Sequence, residues 1–153
     1  MQGIIDTITQ KGGNQYMIES VETVQNFLTQ VKSLLYEKGR CSINNSPWAG
    51  KANKTQIYMA ETGITTTDIK AFIEELTVHN YCATKDERNS NFQGERVWEF
   101  GIRKKIVDVD EDLYIKLKIR KIDEDYLVIM SFHPEQPLRE ADKLQFPYKN
   151  YKE

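Results

Sequence analysis

An α+β fold, with an antiparallel β-sheet packed on one face by helices, is the class that the sequence predicts. Two observations point to it. Apolar residues recur every three or four positions in the first half of the chain, and they alternate with polar residues from residue 96 onward. Helical periodicity followed by a period of two is typical of helices segregated onto one face of a sheet.

The size and composition of the chain fit one globular domain. Its 153 residues are enough for a hydrophobic core, and 29% charged and 10% aromatic residues are ordinary for a folded protein. We interpret residues 1–19, which are polar and contain a Gly-Gly pair, as a flexible N-terminal arm, and residues 20–153 as a single α+β domain. Because the net charge is only -2, a role in binding nucleic acid would require a local basic patch.

The first predicted helix begins after Ser20, whose hydroxyl is a suitable N-cap, and ends near Gly39. One of its faces is apolar and consists of Val21, Val24, Leu28, Val31 and Leu35. Such a stripe predicts that the helix packs against the sheet. Residues 40–43 are a candidate short strand, and the polar stretch NNSPWAGKANK that follows indicates a loop.

Two further helices are predicted before the main strands. A short helix over residues 55–62 ends at Gly63, and Thr65 with Asp68 three residues on has the pattern of a capping box that begins the next. The apolar stripe of that helix consists of Ile69, Phe72, Ile73 and Leu76. The connection over residues 77–95 is long and polar, which is typical of a functional or mobile loop.

Three strands follow, over residues 96–103, 113–120 and 126–133. The apolar face of the first consists of Trp98, Phe100 and Ile102, and that of the second of Leu113, Ile115, Leu117 and Ile119. The short connection KIDEDY predicts a hairpin between the last two strands. The third strand is apolar on both sides, as a central strand is, so its pattern leaves open which side faces the core.

The polar faces of the first two strands would lie together on the side of the sheet away from the helices. They carry Glu99, Arg103, Tyr114, Lys116, Lys118 and Arg120. His133 joins this face if Phe132 points toward the helices. Cations that hold phosphates, beside a tyrosine ring that stacks on a base, suit a single-stranded nucleic acid. The alternative stays open that lysines and arginines on an outward strand face only prevent aggregation.

Cleavage of RNA would suit these residue types, because the 2′-hydroxyl can attack the neighbouring phosphate without a metal ion or other cofactor. The reaction requires a base, cations for the charge that develops on the phosphate, and an acid for the leaving oxygen. Glu99 and His133 are the candidate acid and base, in either order, and histidine titrates nearest neutrality. Tyr114 could bind the RNA, orient it or donate a proton. The candidates for holding the charge are Lys116, Lys118 and Arg103.

Other features argue against several classes of protein. Cys41 and Cys82 lack C-x-x-C spacing, so we expect neither a zinc site nor a disulfide, and each is interpreted as a small hydrophobe. His79, which follows a helix, is predicted to make a helix-end contact. No apolar run approaches the roughly 18 residues that a membrane helix needs, and the N-terminus lacks the features of a signal peptide. We therefore expect a cytoplasmic protein with no membrane partner.

Five segments are similar, in wording and order, to a known family: FLTQVKSLLYEKG, MAETGITTTDIKAFIEELTVHNY, VWEFG, LYIKLKI and VIMSFHPEQPL. From Val24 to Leu138 the chain resembles bacterial type II toxins of the motility quorum-sensing regulator family, within the RelE-type ribonuclease fold. The resemblance implies a metal-independent, sequence-biased mRNA endoribonuclease that slows growth when freed from a partner antitoxin. A helix-turn-helix protein is the expected antitoxin, and a requirement for the ribosome is left open.

The functional face of that family is its sheet. The tyrosine of the family's YIK strand matches Tyr114, the position that closes its SF strand matches His133, and the position after its tryptophan matches Glu99. Some members have lysine in place of His133 and an amide in place of Glu99, and a further family lysine falls where this chain has Cys82. Lys85 is the nearest substitute for that lysine. The full set of RNA-binding candidates is Lys85, Arg103, Lys116, Lys118 and Arg120.

Two other classes of function stay open. A non-catalytic RNA- or protein-binding module on the same scaffold would tolerate single substitutions at Glu99, Tyr114 and His133, whereas a nuclease would not. A purely structural interaction protein would have no basic face on its sheet.

Overall fold

The computed structural model describes residues 7–11, 14–46, 50–87, 94–121 and 123–153. Within these ranges the chain forms three α-helices: α1 (Val21–Leu34), α2 (Lys54–Thr62) and α3 (Thr66–Glu74). Seven strands join one sheet: β1 (Thr7–Lys11), β2 (Asn14–Ile18), β3 (Cys41–Ile43), β4 (Tyr81–Asp86), β5 (Arg96–Ile106), β6 (Val109–Lys121) and β7 (Asp125–Pro134). Their order across the sheet is β1-β2-β4-β5-β6-β7-β3, so the α+β class is as predicted.

Capping interactions fix where the helices begin. At the start of α1 the Ser20 hydroxyl accepts a hydrogen bond of 3.2 Å from the backbone N–H three residues on. At the start of α3, Thr65 and Asp68 form a reciprocal capping box. Both predicted N-caps are therefore confirmed. The first helix ends at Leu34, short of the predicted stop at Gly39, which instead has a left-handed φ of 75° in the turn toward β3.

The helices pack on one face of the sheet through aromatic and branched aliphatic side chains. Phe27 of α1 stacks on Trp98 of β5, with ring centroids 4.1 Å apart. Phe72 of α3 stacks on Phe132 of β7 at 6.0 Å. In the same cluster Ile69 and many strand residues are fully buried. The side of the central strands opposite this cluster is here called the open face.

The sheet is mixed, which corrects the prediction of an antiparallel sheet. The four strands β4 to β7 pair antiparallel, as expected. However, β3 pairs parallel with β7, with Cys41 opposite Leu127. A three-residue strand carries no pattern that sets its direction. At the other edge β1 and β2 form a hairpin that pairs with β4 between Met17 and Thr84, so part of the segment interpreted as an arm contributes strands that the sequence did not predict.

The hairpin of β5 and β6 is longer than predicted. The strands continue to Ile106 and resume at Val109, so only Val107 and Asp108 form the turn. Both turn residues have positive φ, 46° and 66°. Two-residue turns of this kind match the right-handed twist of the flanking strands. The long hairpin therefore holds the two strands of the open face in a fixed register.

A β-bulge lies in the pairing of β6 with β7. The register shifts between Lys116 and Leu117, which leaves Met130 without a partner residue on β6. Ile129 and Phe132 are both fully buried although they are three positions apart. Strict alternation would place them on opposite faces, so β7 does not alternate regularly along its length, and the bulge reverses its parity. The polar side chains that follow the bulge in β7 consequently lie on the open face.

Candidate active site on the open face

The strand register brings the three predicted catalytic residues together. Tyr114 of β6 lies directly opposite His133 of β7, and Glu99 of β5 lies opposite Lys116 of β6. Residues two apart on a strand share a face, so all four side chains belong to the open face. A cavity of about 340 Å³, here called the sheet cavity, is lined by Glu99, Tyr114 and His133.

Tyr114 and Glu99 form a short hydrogen bond. The tyrosine hydroxyl donates to Glu99 Oε2 at 2.5 Å, and Glu99 is only 6% exposed. Burial and then the nearby Glu99 carboxylate raise the pKa of Tyr114 far above its ordinary value. Ionisation of the tyrosine would place two negative charges side by side in a poorly solvated site. At neutral pH the hydroxyl therefore stays protonated and serves as a donor.

His133 is oriented by its own backbone neighbour. Its Nδ1 lies 2.9 Å from the carbonyl oxygen of Pro134, which requires Nδ1–H as the donor. Its ring centroid lies 5.5 Å from that of Tyr114. Burial lowers the pKa of His133, and although the Pro134 carbonyl raises it, the charges of Lys54 and Lys116 lower it further. A neutral imidazole with Nδ1 protonated carries its lone pair on Nε2, which makes Nε2 a candidate general base.

Two predicted RNA-binding cations lie close to this group. Lys116 is half-buried, and burial together with the charge of Lys85 lowers its pKa. Lys85 is also half-buried, and its Nζ lies 5.4 Å from the ring centroid of Tyr16. Desolvated cations of this kind gain more from an arriving anion than exposed ones do, because water has already been removed from around them.

Lys118 differs from the prediction of a solvent-exposed cation. It is 3% exposed, and its Nζ forms ion pairs with Glu87 at 2.7 Å and Glu95 at 3.1 Å. Glu87 and Glu95 thus pair with a lysine that the sequence predicted to be free for RNA. The sequence pattern could not show which carboxylates would pair with Lys118.

The two predicted arginines also have carboxylate partners. Arg120 lies 3.2 Å from Glu95. Arg103 is exposed near the end of the β5–β6 hairpin and pairs with Asp112 at 2.8 Å. Neither lines the sheet cavity. Lys116 therefore lies close to the catalytic candidates, whereas these two arginines lie outside the sheet cavity.

Several residues that the sequence reasoning missed line the same cavity. Tyr16 of β2 and Lys54 at the start of α2 border it, as does the C-terminal segment through Glu135 and Leu144. The Glu135 carboxylate accepts a hydrogen bond of 2.5 Å from the backbone N–H of Leu144, which fixes the loop between them. Only one sequence signal was available, a glycine inside a strand at Gly101, since such glycines mark a close approach by another segment.

The C-terminal segment makes that close approach. A Cβ atom at Gly101 would lie 2.8 Å from the ring of Phe146 and 2.9 Å from Leu144. The segment thus lies directly on β5, next to the pair formed by Glu99 and Tyr114. It also borders the sheet cavity through Leu144.

His79 and the two cysteines lie outside the group. His79 Nε2 is 2.8 Å from the carbonyl oxygen of Tyr151, near the C-terminus, rather than in the sheet cavity. Cys41 is half-buried, Cys82 is buried, and both are free thiols. In the described ranges no three His, Cys, Asp or Glu side chains are arranged to hold a metal ion.

No protein-family model matches the chain, and comparisons with curated proteins and with solved structures find no match. None of the helices in the described ranges is both long enough and apolar enough to cross a membrane.

Proposed function

We propose that this chain is a metal-independent endoribonuclease that cleaves mRNA. The observation that carries the proposal is the meeting of His133, Tyr114 and Glu99 in one cavity that Lys54 also lines, with Lys116 beside them on the same face. Transphosphorylation of RNA requires a base, an acid and positive charge near the phosphate; the His133 imidazole can take the first two roles in turn, and Lys54 and Lys116 supply the charge.

In the proposed reaction His133 Nε2 takes the proton of the ribose 2′-hydroxyl. The 2′-oxygen forms a bond to phosphorus while the bond from phosphorus to the 5′-oxygen breaks. The imidazolium then returns the proton to the departing 5′-oxygen, so the products are a 2′,3′-cyclic phosphate and a 5′-hydroxyl. Protons and charge balance without water, metal or cofactor, and the positive charges of Lys54 and Lys116 beside His133 attract the phosphates of the RNA strand.

Glu99 and Tyr114 have a positioning role in this scheme. Because burial and the Glu99 carboxylate raise the pKa of Tyr114, loss of its proton is unfavourable. The hydroxyl therefore acts as a fixed hydrogen-bond donor, and its ring lies beside the imidazole of His133. In the opposite assignment, with Glu99 as the base, the carboxylate would take the proton at Oε1, because Oε2 accepts the hydrogen bond from Tyr114.

The biological part of the proposal rests on the resemblance of the five sequence segments. We infer that the chain is the toxin of a bacterial type II toxin–antitoxin pair, with a RelE-type fold and a cytoplasmic site of action. A cognate antitoxin, expected to be a helix-turn-helix protein, would silence it. Cleavage on the ribosome or on free mRNA both fit this assignment.

The test is cleavage of a long unstructured RNA by purified protein with a chelator present. We expect the parent to cut and His133→Gln to lose about 10²–10⁴-fold in rate, which is typical for removal of a general base. His79→Gln is the matched control, since it makes the same change at a histidine outside the cavity. Circular dichroism and melting of each variant check that the fold is retained.

The outcomes separate the open alternatives. Full activity in His133→Gln would remove the histidine from the mechanism. Activity that the chelator abolishes would contradict the metal-free reaction. Tight RNA binding by a parent protein that leaves every RNA intact would favour the non-catalytic binding module.

A further inference from the structure

A second cavity lies next to the sheet cavity. It has a volume of about 210 Å³ and shares Lys54 and His133 with the first. The rest of its lining includes Lys116, Ser131 and Asn44. We call it the lysine cavity. The two cavities thus meet at the imidazole that would act as the base.

The two cavities differ in charge. The sheet cavity is lined by Glu99, Glu135 and Asp142, whereas no described residue lining the lysine cavity carries a carboxylate. Lys54 and Lys116 form no ion pair with any residue in the described ranges. A concave site with two lysines, a hydroxyl and amide side chains favours an anion with several acceptor oxygens.

Burial makes Lys116 sensitive to such an anion. Its pKa is lowered by desolvation and by the charge of Lys85, and the carboxylates of Glu99 and Glu87 offset this only in part. A bound phosphate group would supply a full negative charge in the same poorly solvated region. The attraction would exceed that at an exposed lysine, since it is less screened by water.

Lys54 is held in place by its two neighbours in sequence. The Asn53 side chain donates to the carbonyl oxygens of Asn44 and Ser46, both at 3.2 Å. Thr55 is 2% exposed, and its hydroxyl accepts a hydrogen bond of 2.9 Å from the backbone N–H of Phe132, the residue before the candidate base. The backbone of Lys54 is therefore fixed to both the loop and β7, and its exposed side chain lines both cavities.

We propose that the lysine cavity binds the phosphodiester adjacent to the scissile one on the same RNA strand, with Lys54 and Lys116 as its cationic ligands and Ser131 as a donor. This deepens the proposed function and rests on it. The scissile phosphate would occupy the sheet cavity beside His133, and the neighbouring phosphate would set the register of the strand relative to Nε2.

The experiment uses oligonucleotides that are 2′-deoxy at all but one position, so that only one linkage can be cut. In matched substrates, the linkage on one side or the other of the cleavable one is an uncharged methylphosphonate. We measure kcat/KM for the parent, Lys54→Gln and Lys51→Gln. Lys51 is an exposed lysine that lines neither cavity, so its variant is the control for loss of one positive charge.

We expect Lys54→Gln to lose roughly tenfold more than Lys51→Gln on the all-diester substrate, as for a lost hydrogen bond to a charged group. One of the two methylphosphonates should cost the parent a similar factor and cost Lys54→Gln much less, because the two changes remove the same contact. If the loss from Lys54→Gln and the loss from the methylphosphonate simply multiply at both linkages, the proposal is overturned. So would competition by inorganic phosphate without any methylphosphonate effect, because that result indicates an isolated-ion site.

A binding measurement separates this inference from the proposed nuclease activity. With an oligonucleotide that is 2′-deoxy throughout and cannot be cut, Lys54→Gln should reduce the slope of log affinity against log salt by about 1 relative to Lys51→Gln. If this occurs while the parent cleaves no RNA, the phosphate site stands and the nuclease proposal fails. If the parent cleaves RNA but the two lysine variants behave alike in both assays, the phosphate site fails and the nuclease proposal stands.

Discussion

The Tyr114 hydroxyl donates to the Glu99 carboxylate at 2.5 Å across the β5–β6 pairing, and Glu99 is almost fully buried. Other carboxylates of the protein, such as Glu87 and Glu95, have a cation close by. Across from Glu99 lies Lys116, whose pKa burial lowers. The Tyr114 hydroxyl therefore replaces water as a hydrogen-bond donor to the buried Glu99 carboxylate, and this role does not depend on the reaction.

The first prediction concerns that hydrogen bond. Tyr114→Phe keeps the ring and deletes the donor, so we expect a loss of about 1.5–3 kcal/mol in the free energy of unfolding, as for hydrogen bonds to charged groups. Tyr126→Phe removes the same atom on the neighbouring strand outside the sheet cavity and should change stability by less than about 1 kcal/mol. Urea unfolding of both variants measures the difference. Equal stability in the two variants would show that Glu99 does not depend on Tyr114.

The second prediction concerns the pH dependence of cleavage. Because burial and then the charges of Lys54 and Lys116 lower the pKa of His133, its neutral form persists below the ordinary value of 6.5. The acid limb of kcat/KM should therefore have its midpoint below 6.5. Lys54→Gln removes one of the lowering charges, so its midpoint should move upward. A midpoint that is unchanged in Lys54→Gln, or that lies above 6.5 in the parent, would contradict this account.

The same shift has a consequence for stability. A histidine whose folded pKa is lowered binds its proton more readily in the unfolded chain, so its contribution is present above pH 6.5 and is lost as the pH falls. We expect the stability of the parent to decrease through this window more steeply than that of His133→Gln. Unfolding curves at several pH values between neutral and acid measure the two slopes. Equal slopes for the parent and His133→Gln would mean that the pKa of His133 is the same in the folded and unfolded states.

The sequence predicts much of this fold because the deciding interactions are local. The N-caps at Ser20 and Thr65 and the core stripes of the helices follow from residues three or four apart. The alternation in β5 and β6 also identified the strands that carry Glu99 and Tyr114. All of these signals lie within one or two turns or strand repeats, where spacing alone determines which side chains share a face.

The rest depends on contacts that no local pattern carries. The bulge at Met130 changes the parity of β7, and nothing in a strand that is apolar on both sides marks where an extra residue is accommodated. The burial of Lys118 depends on Glu87, 31 residues earlier. Likewise the role of Lys54 at the site depends on the packing of α2 against β7 through Thr55. Residue type on three strands thus suggested Glu99, Tyr114 and His133 as candidates, and tertiary packing adds Lys54 to the cavity they line.

The third prediction tests the burial of Lys118. Replacement by methionine keeps the length of the side chain and removes the cation that pairs with Glu87 and Glu95, while Arg120 still pairs with Glu95. Removing one partner of a buried ion pair typically costs about 3–5 kcal/mol, so Lys118→Met should be strongly destabilised. Lys121→Met, on the same strand but exposed, should be nearly neutral.

RNA binding distinguishes this structural role from the role predicted by the sequence. Because the charge of Lys118 is already paired, Lys118→Met should leave the salt dependence of RNA affinity at the value of the parent, under conditions where the variant is folded. Lys116→Met should reduce the slope by about 1. A reduced slope for Lys118→Met would show that RNA displaces the two glutamates and that the exposed-cation interpretation was correct.

The last prediction concerns the segment that lies on Gly101. An alanine Cβ there would approach the ring of Phe146 and the side chain of Leu144 within 3 Å, closer than packed atoms allow. Both atoms are the far ends of side chains, so the C-terminal segment should shift while the sheet stays in place. Overpacking typically costs about 1–3 kcal/mol, and we expect a value at the low end. Because Leu144 lines the sheet cavity, the shift should raise KM for RNA and change kcat little.

Phe146→Ala makes room for the new methyl group, so adding Gly101→Ala in that background should cost less stability than it does in the parent. Kinetics and melting of the two single variants and the double variant give the measurement, and strictly additive losses would show that Gly101 and the C-terminal segment are not in contact.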